Sequence, residues 1–429
     1  MTTTQDVHKA FLTCSQAGTD TRSIASGSLF FALKGPNFNA NSFAAEALAK
    51  GARYAVVDEP SVVQDERFLL VPDVLKALQE LATYHRRTFD IPVIGITGTN
   101  GKTTTKELVH AVLSADRPTL STTGNLNNHI GVPLTLLRLT QEHRIAIVEM
   151  GANKVGDIAE LVNIAEPTCG MITNVGRAHL EGFGSLEGVI TAKTEMFHFL
   201  GAHSGTVFVH ADDPLLMEKS TGLQRVTYGR DETCDTCGHA VDSDDVCMEL
   251  VFDDKERSGH YHISTKLIGN YNAPNAMAAV AIGQHFGVPD MLIAEALTAY
   301  TPSNNRSEFR DSGRNQLILD AYNANPTSMK AALENFAAMS SDRPKLAILG
   351  DMRELGSESE SEHRSIIALV NDLGLHARYV GPEFKAVHLE AVPNANELLG
   401  ELQQQPIKEH LILVKGSRGI KLEDVVGVL

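Results

Sequence analysis

Val93-Ile94-Gly95-Ile96-Thr97-Gly98-Thr99-Asn100-Gly101-Lys102-Thr103-Thr104-Thr105-Lys106-Glu107 passes from an apolar run through a glycine-rich loop into a helix-like pattern. That order, strand then loop then helix, is how a chain cradles nucleotide phosphates. Glycines let backbone N–H groups approach the oxygens, and the helix N-terminus adds positive dipole. In such a loop Lys102 reaches the β- and γ-phosphates and the Thr103 hydroxyl holds Mg²⁺; Gly98, Thr99, Asn100, Gly101 and Thr104 complete the nucleotide-binding set. The spacing departs from the general G-x-x-x-x-G-K-[ST] pattern, which wants glycine at 96, where this chain has Ile96; its glycines fall at 95 and 98. The loop implies ATP as the nucleotide.

Outward from this loop, apolar runs alternate with helical patterns. VIGIT, IAIVEM, GMITNV and TVFVH read as buried strands, with helices starting near Thr103, Val155, Leu186 and Leu215. The alternation predicts a mostly parallel sheet covered on both faces. Residues 230–268 break the rhythm and read as an antiparallel flap, before helices over Asn270–Phe286 and Asp290–Tyr300. Upstream, SLFFALKG and ARYAVVDE read as short strands around a helical FAAEALAKGA, and Leu75–Arg87 as an amphipathic helix leading to a boundary at Asp90-Ile91-Pro92. Downstream, the polar joint TPSNNR (Thr301–Arg306) precedes a renewed α/β rhythm: QLILDAY, a helix over Ser328–Met339, LAILGDM, a helix over Glu362–Leu373, ILVKGS and a last helix. The expectation is an α/β protein of three domains, at residues 1–90, 91–303 and 304–429.

Bulk properties narrow the class. A length of 429 residues suits two or three domains, and 43% apolar content supplies their cores. The formal charge of −16, with no basic cluster, argues against a nucleic-acid footprint. No apolar run reaches membrane-spanning length, and the polar start MTTTQDVHK is unlike a signal peptide. Five unevenly placed cysteines suit a reducing cytoplasm. Cys234 and Cys237 have the bite of a thiolate zinc clasp, but the chain has a single CxxC and the pair reads better as free thiols.

Further candidates sit where strands are expected to end. Glu149 closes the run Ile145–Val148 at the carboxyl edge of the sheet, where ligands gather and a carboxylate can hold Mg²⁺. His179, in the loop after GMITNV, has the chemistry of a metal ligand or a proton-transfer group, although a loop histidine on its own is more often structural. Lys193, by spacing alone, is a solvated helix lysine. Asp320, Tyr322, Asn323 and Asn325, in Asp320–Pro326, occupy a strand–helix junction suited to ligand hydrogen bonds and equally to turns and caps. With Gly350–Gly356 and Lys415–Arg418 they predict a binding face turned toward the phosphate loop.

Together these motifs resemble the Mur ligase family, the ATP-dependent amide ligases of peptidoglycan synthesis. TGTNGKTTT is similar to that family's phosphate loop. TTGNLNNHIGVPLTLL (Thr122–Leu137), VEMGANKVGDI (Val148–Ile158), YNANPTSM (Tyr322–Met329) and GDMRELG (Gly350–Gly356) resemble the branch that adds D-alanyl-D-alanine to a UDP-muramoyl-tripeptide. The resemblance runs from about Thr19 to the C-terminus. It implies a small UDP-binding α/β domain, a central P-loop ATPase domain and a Rossmann-like C-terminal domain, working as a cytoplasmic monomer on UDP-N-acetylmuramoyl-tripeptide and D-alanyl-D-alanine. By the same resemblance Glu149 and His179 are metal ligands of a pair of Mg²⁺ sites, and Lys193 is the lysine that becomes carbamylated. Asn272, Asn275, Arg306 and Asp320 contact the nucleotide. Asn125, Asn127 and Asn128 line the muramoyl-peptide cleft, and Lys415, Ser417 and Arg418 approach the amino-acid substrates. Asp20-Thr21-Arg22 and LFFALKG are similar to the UDP-binding domain, with a departure: Asn39-Ala40-Asn41-Ser42-Phe43 stands where many relatives have Asp-Gly-His before an aromatic. The implied reaction is amide formation through an acyl phosphate. The competing readings are another member of the family, a folylpolyglutamate synthase, or a nucleotide-gated regulatory ATPase. The ligase that adds the third peptide residue should carry Asp-Asn-Pro-Arg, a run absent from this chain.

Overall fold

The computed structural model describes residues 1–178, 180–241, 246–302 and 307–429. Among them, Val93–Thr97 lies inside a nine-stranded sheet. Its order across the sheet is Thr119–Ser121, Ile145–Glu149, Val93–Thr97, Cys169–Ile172, Thr206–His210, Gln224–Gly229, Thr236–Val241, Cys247–Asp253 and His260–Ile268. The first seven strands run parallel; the last three pair antiparallel. The flap expected at 230–268 is therefore a continuation of the central sheet. Every residue of Val93–Thr97 and Ile145–Glu149 is buried, as strands covered by helices on both faces require.

On one face the helix Lys102–Ser114 packs against Ala273–His285. The second helix is buried almost all round because its alanines let neighbouring backbones close in. It begins after a 3₁₀ turn, Asn270–Asn272. On the other face lie Asp157–Ala165 and Leu186–Ala202.

The N-terminal unit is a four-stranded parallel sheet in the order Ala17–Gly18, Leu29–Phe31, Tyr54–Val57, Phe68–Leu70. A helix at Thr4–Phe11, capped by Thr3, precedes it. The helix Val74–Arg86, capped by Asp73, packs on Thr4–Phe11 and also on the central helices Gly131–Leu136 and Asp157–Ala165. Leu78, Leu81 and Ala82 enter a core shared with Leu136, Ile158 and Leu161. Polar anchors fix the same contact: Gln79 Nε2 donates to Glu160 Oε1 at 2.8 Å, Thr83 Oγ1 to the Ile164 carbonyl at 3.0 Å, and Arg87 pairs with Glu166 at 2.6 Å.

The C-terminal unit is a five-stranded sheet ordered Glu308–Asp311, Gln316–Asp320, Leu411–Lys415, Lys345–Gly350, His376–Val380, with only the first pair antiparallel. Helices Pro326–Ala338 and Ser359–Asp372 cover one face. The expected last helix is instead two 3₁₀ stretches, Arg418–Ile420 and Leu422–Val428. Lys421 between them is in the left-handed region (φ 59°) and interrupts the helical path. Of the joint at 301–306, residues 303–306 lie outside the described residues.

Candidate active site

The carboxyl ends of the central strands open into a cavity of about 960 Å³. Thr99–Thr104 form one wall, Gly124–His129 another, and the C-terminal unit closes it with Asp320, Tyr322, Asn323 and Lys415.

The phosphate loop is fixed by close steric and hydrogen-bonded contacts with its neighbours. Gly98 has φ +144°, and a Cβ there would lie 2.0 Å from Thr173 Oγ1; Gly101 has φ +79°, and its Cβ would lie 2.5 Å from Asn275 Oδ1. Both positions thus require glycine sterically as well as conformationally. The loop is laced to the end of Cys169–Ile172. Thr173 Oγ1 donates to the Asn100 carbonyl at 2.6 Å, the Asn100 amide donates to Asn174 Oδ1 at 3.0 Å, and the Gly176 amide to Thr99 Oγ1 at 2.9 Å. Lys102 Nζ donates to the carbonyls of Gly98 (2.8 Å) and Thr99 (2.9 Å), which holds the ammonium over the loop.

Glu149, 1% exposed, stands beside Lys102's neighbour. Its Oε1 accepts from Thr103 Oγ1 at 3.1 Å and from Asn127 Nδ2 at 2.8 Å, while its buried Oε2 has no hydrogen-bond partner among the described residues. An unpartnered buried carboxylate oxygen is costly unless a cation or proton completes it. Thr103 and Glu149 therefore fit a divalent cation with oxygen ligands. His179 lies outside the described residues. Lys193 is buried and not among the residues that line the cavity, with Nζ 5.7 Å from the centre of the Phe183 ring. Burial first, and the charge of Lys102 second, push its amine well below the ordinary lysine range, against the opposing pull of Asp157 and Glu195. The solvated helix lysine that spacing alone implies is thus corrected: the side chain faces inward.

Asn272 and Asn275 line the cavity but also brace it. Asn272 Nδ2 donates to the Ile268 carbonyl (2.8 Å), Asn275 Nδ2 to Asn272 Oδ1 (2.9 Å), and Thr105 Oγ1 to Asn275 Oδ1 (3.0 Å). Asn125, Asn127 and Asn128 line the opposite wall; Asn128 Oδ1 accepts the amides of Ile130 and Gly131 and starts the helix there.

In the C-terminal unit Lys415, 1% exposed, donates to Asp320 Oδ2 at 2.5 Å, so the two expected ligand contacts neutralise each other. Arg418 stacks over Tyr322, with its guanidinium carbon 5.4 Å from the ring centre. Ser417 is buried outside the cavity, where its hydroxyl accepts the Arg353 amide at 3.1 Å. Asn325 caps Pro326–Ala338 and donates through Nδ2 to Asn100 Oδ1 at 2.7 Å, joining the C-terminal unit to the phosphate loop. Arg177 adds ion pairs to Glu362 (2.9 Å) and Glu358 (3.8 Å). Arg306 lies outside the described residues.

Thr21 and Arg22 are not brought to this cavity. Arg22 is solvent-exposed and paired with Asp20 at 2.6 Å, and Thr21's carbonyl accepts from Lys50. Asn39 and Asn41 are likewise engaged, Asn39 with Glu59 and Asn41 with Asp58. Cys234 and Cys237 are buried, their thiols pushed up chiefly by burial. Sequence reasoning missed His210, Asp213 and Tyr271, which also line the cavity. His210 ends the strand TVFVH and Asp213 follows it, and the carboxyl-edge rule that selected Glu149 also covers them.

The Mur ligase middle domain matches residues 96–283, and the Mur ligase glutamate ligase domain matches residues 305–418. The UDP-N-acetylmuramoyl-tripeptide--D-alanyl-D-alanine ligase of Escherichia coli is 36% identical, over 99% of this chain and 95% of its own. The chain belongs to the Mur ligase family. Within that family it is of the MurF type. A crystal structure of MurF from Acinetobacter baumannii superposes with TM-score 0.87 at 31% identity, covering 99% of this chain and 98% of that one. MurF from Thermotoga maritima in complex with ADP gives 0.85 at 26% identity, covering 97% of each chain. These Mur ligases bear out the three-domain α/β expectation. A folylpolyglutamate synthase from Mycobacterium tuberculosis, at 16% identity and TM-score 0.62, shares the fold alone.

Proposed function

We propose that this Mur ligase joins D-alanyl-D-alanine to UDP-N-acetylmuramoyl-tripeptide at the expense of ATP, in peptidoglycan precursor synthesis. The observation that carries the reading is the convergence on one cavity of the phosphate loop, the Asn125–Asn128 wall and the C-terminal unit's Asp320–Asn323 edge. The names and full-length likeness of the E. coli and A. baumannii ligases support it, and the ADP held by the T. maritima ligase supports ATP as the nucleotide.

In this reading a terminal carboxylate oxygen of the tripeptide attacks the γ-phosphorus and the bond to ADP breaks. The amine of D-alanyl-D-alanine then attacks the acyl carbon, loses a proton and displaces phosphate. Both steps build negative charge on phosphoryl or carbonyl oxygens. Lys102, already held over the loop, is the fixed cation that meets this charge. Mg²⁺, when bound, would neutralise charge on the β- and γ-phosphates. Thr103 and Glu149 would hold it, with His179 and a carbamylated Lys193 as the family's further ligands. A neutral lysine amine is the form that adds CO₂, releasing a proton as the N–C bond forms, and the burial of Lys193 favours that form. The contacts of Asn325 and Arg177 bring the C-terminal unit against the loop, which excludes water from a hydrolysable acyl phosphate. Thr21 and Arg22 would serve the UDP end, away from the reacting atoms. We take the enzyme to act as a cytoplasmic monomer; among the described residues no helix is long and apolar enough to cross a membrane.

The test is phosphate release from MgATP with each of the two other substrates omitted in turn. Release that needs both, with a UDP-linked pentapeptide product by mass spectrometry, is the expected result. Release indifferent to both would make the chain a regulatory ATPase instead.

A further inference from the structure

Lys106 is a buried cation that the reaction, as described, does not use: it is 4% exposed and lies on the nucleotide helix. Its Nζ donates to the Thr122 carbonyl at 3.0 Å, and Glu107 lies 3.6 Å away. Thr122 is the residue at which the strand Thr119–Ser121 gives way to the loop of Gly124, Asn125, Asn127 and Asn128. The Thr122 hydroxyl in turn accepts the Glu149 amide at 3.0 Å. Glu149 Oε1 accepts from Thr103 Oγ1, and Thr103 and Lys106 share one helix face at i, i+3. Three hydrogen bonds, Lys106 to Thr122, Glu149 to Thr122 and Thr103 to Glu149, therefore form a ring that the helix backbone between Thr103 and Lys106 closes. The loop is tied to the same strand end twice more, since Asn127 Nδ2 donates to Glu149 Oε1 and the Gly151 amide donates to the Asn127 carbonyl, each at 2.8 Å.

An apolar side chain would fill this position without the cost of desolvating an ammonium. What the ammonium adds is direction: a fixed link from the nucleotide helix to the root of the opposite cavity wall. We propose that Lys106 is a positioning residue for ligation, holding the Thr122–Asn128 loop in register with the phosphate loop so that the muramoyl-peptide wall is preformed. The proposal rests on the ligase reading above, in which that wall takes the UDP-muramoyl-tripeptide.

Isothermal titration of wild type, Lys106→Met and Thr122→Val with UDP-muramoyl-tripeptide, and separately with ADP in chelator, tests it. Methionine keeps the length and the apolar stem; valine keeps Thr122's shape and removes only the acceptor for Glu149. Each variant is expected to weaken the nucleotide-peptide by about tenfold while ADP affinity stays within about twofold, and the double variant to be no weaker than about the worse single one, since the two act through one ring. In turnover the same selectivity appears as a raised KM for the nucleotide-peptide with KM for ATP unmoved. Unchanged nucleotide-peptide binding in both single variants, or equal loss of both ligands, overturns the proposal. Should Lys106→Met fail to fold, Lys106→Leu, equally unable to donate to the Thr122 carbonyl, decides by the same criterion. A wild-type chain that binds ADP but not UDP-muramoyl-tripeptide would overturn the ligase reading itself, and this proposal with it.

Discussion

Lys102 and Glu149 show how far single side chains are placed by the protein's own contacts. The ammonium is held by two loop carbonyls, and the carboxylate keeps one buried oxygen without a partner. Preorganised groups of this kind stabilise developing charge without reorganising during the reaction. Lys102→Ala should leave the fold intact and lower kcat by about a thousandfold, the scale of removing one fixed electrostatic partner of a transition state. Glu149→Gln keeps Oε1 as an acceptor and replaces the unpartnered oxygen by a donor. Calorimetry with ADP should then give wild-type affinity in chelator but lose about tenfold or more of any Mg²⁺-dependent gain. A full Mg²⁺ response in the variant would remove Glu149 from the cation site. These residues were legible because their chemistry is local: a glycine-rich loop ending in Lys-Thr, and a carboxylate at the end of an apolar run. Lys193 was not, because its spacing on a helix is that of a surface residue, and the structure instead turns it inward beside Phe183.

At the scale of elements, the parallel strands could be read because doubly covered strands are continuously apolar. The helix Thr4–Phe11 could not, since its burial depends on a partner far along the chain. His8 on it meets His85 on Val74–Arg86, with 3.1 Å between His8 Nε2 and His85 Nδ1. His85 Nε2 lies 3.0 Å from the Leu139 carbonyl, which only accepts, so Nε2 carries the proton and Nδ1 is the acceptor from His8. Burial holds both imidazoles below the usual 6.5. The unfolded chain therefore takes up protons first as pH falls, and stability is lost below about pH 6.5, while above it both states are neutral and the pair adds no pH dependence. Thermal melts from pH 8 to pH 5 should show that loss. His85→Gln should flatten the acid slope and lower stability at pH 8 by about 1 kcal/mol. An unchanged slope would mean other groups set the acid limit. The terminal 3₁₀ stretches were missed for a similar reason: LEDVVGVL has helical spacing, and only the left-handed turn at Lys421 marks the interruption.

At the scale of the whole molecule, the C-terminal unit touches the phosphate loop through Asn325–Asn100 and the adjoining strand-end loop through Arg177–Glu362. Glu362's side chain is only 11% exposed, so removing its partner leaves a largely buried charge and should cost about 1–3 kcal/mol at this interface. Arg177→Ala should thus enlarge the radius of gyration in X-ray scattering without substrates, and raise the fraction of ATP hydrolysed without ligation. A compact, fully coupled variant would show that other contacts suffice for closure. The sequence pointed to three α/β units and a binding face on the third, but the pairing of their faces comes from residue pairs such as Arg87–Glu166 and Asn100–Asn325, 79 and 225 positions apart, which no local pattern encodes.

In the reaction proposed above, the tripeptide's own carboxylate, rather than water, attacks the γ-phosphate in the cavity these units enclose. Turnover of UDP-muramoyl-tripeptide labelled with ¹⁸O in its terminal carboxylate, with MgATP and D-alanyl-D-alanine, tests it directly. The expected product is inorganic phosphate carrying one ¹⁸O atom per pentapeptide formed, inherited from the bridging oxygen of the acyl phosphate. Unlabelled phosphate would contradict it, because ATP would then be cleaved without passing through the acyl phosphate.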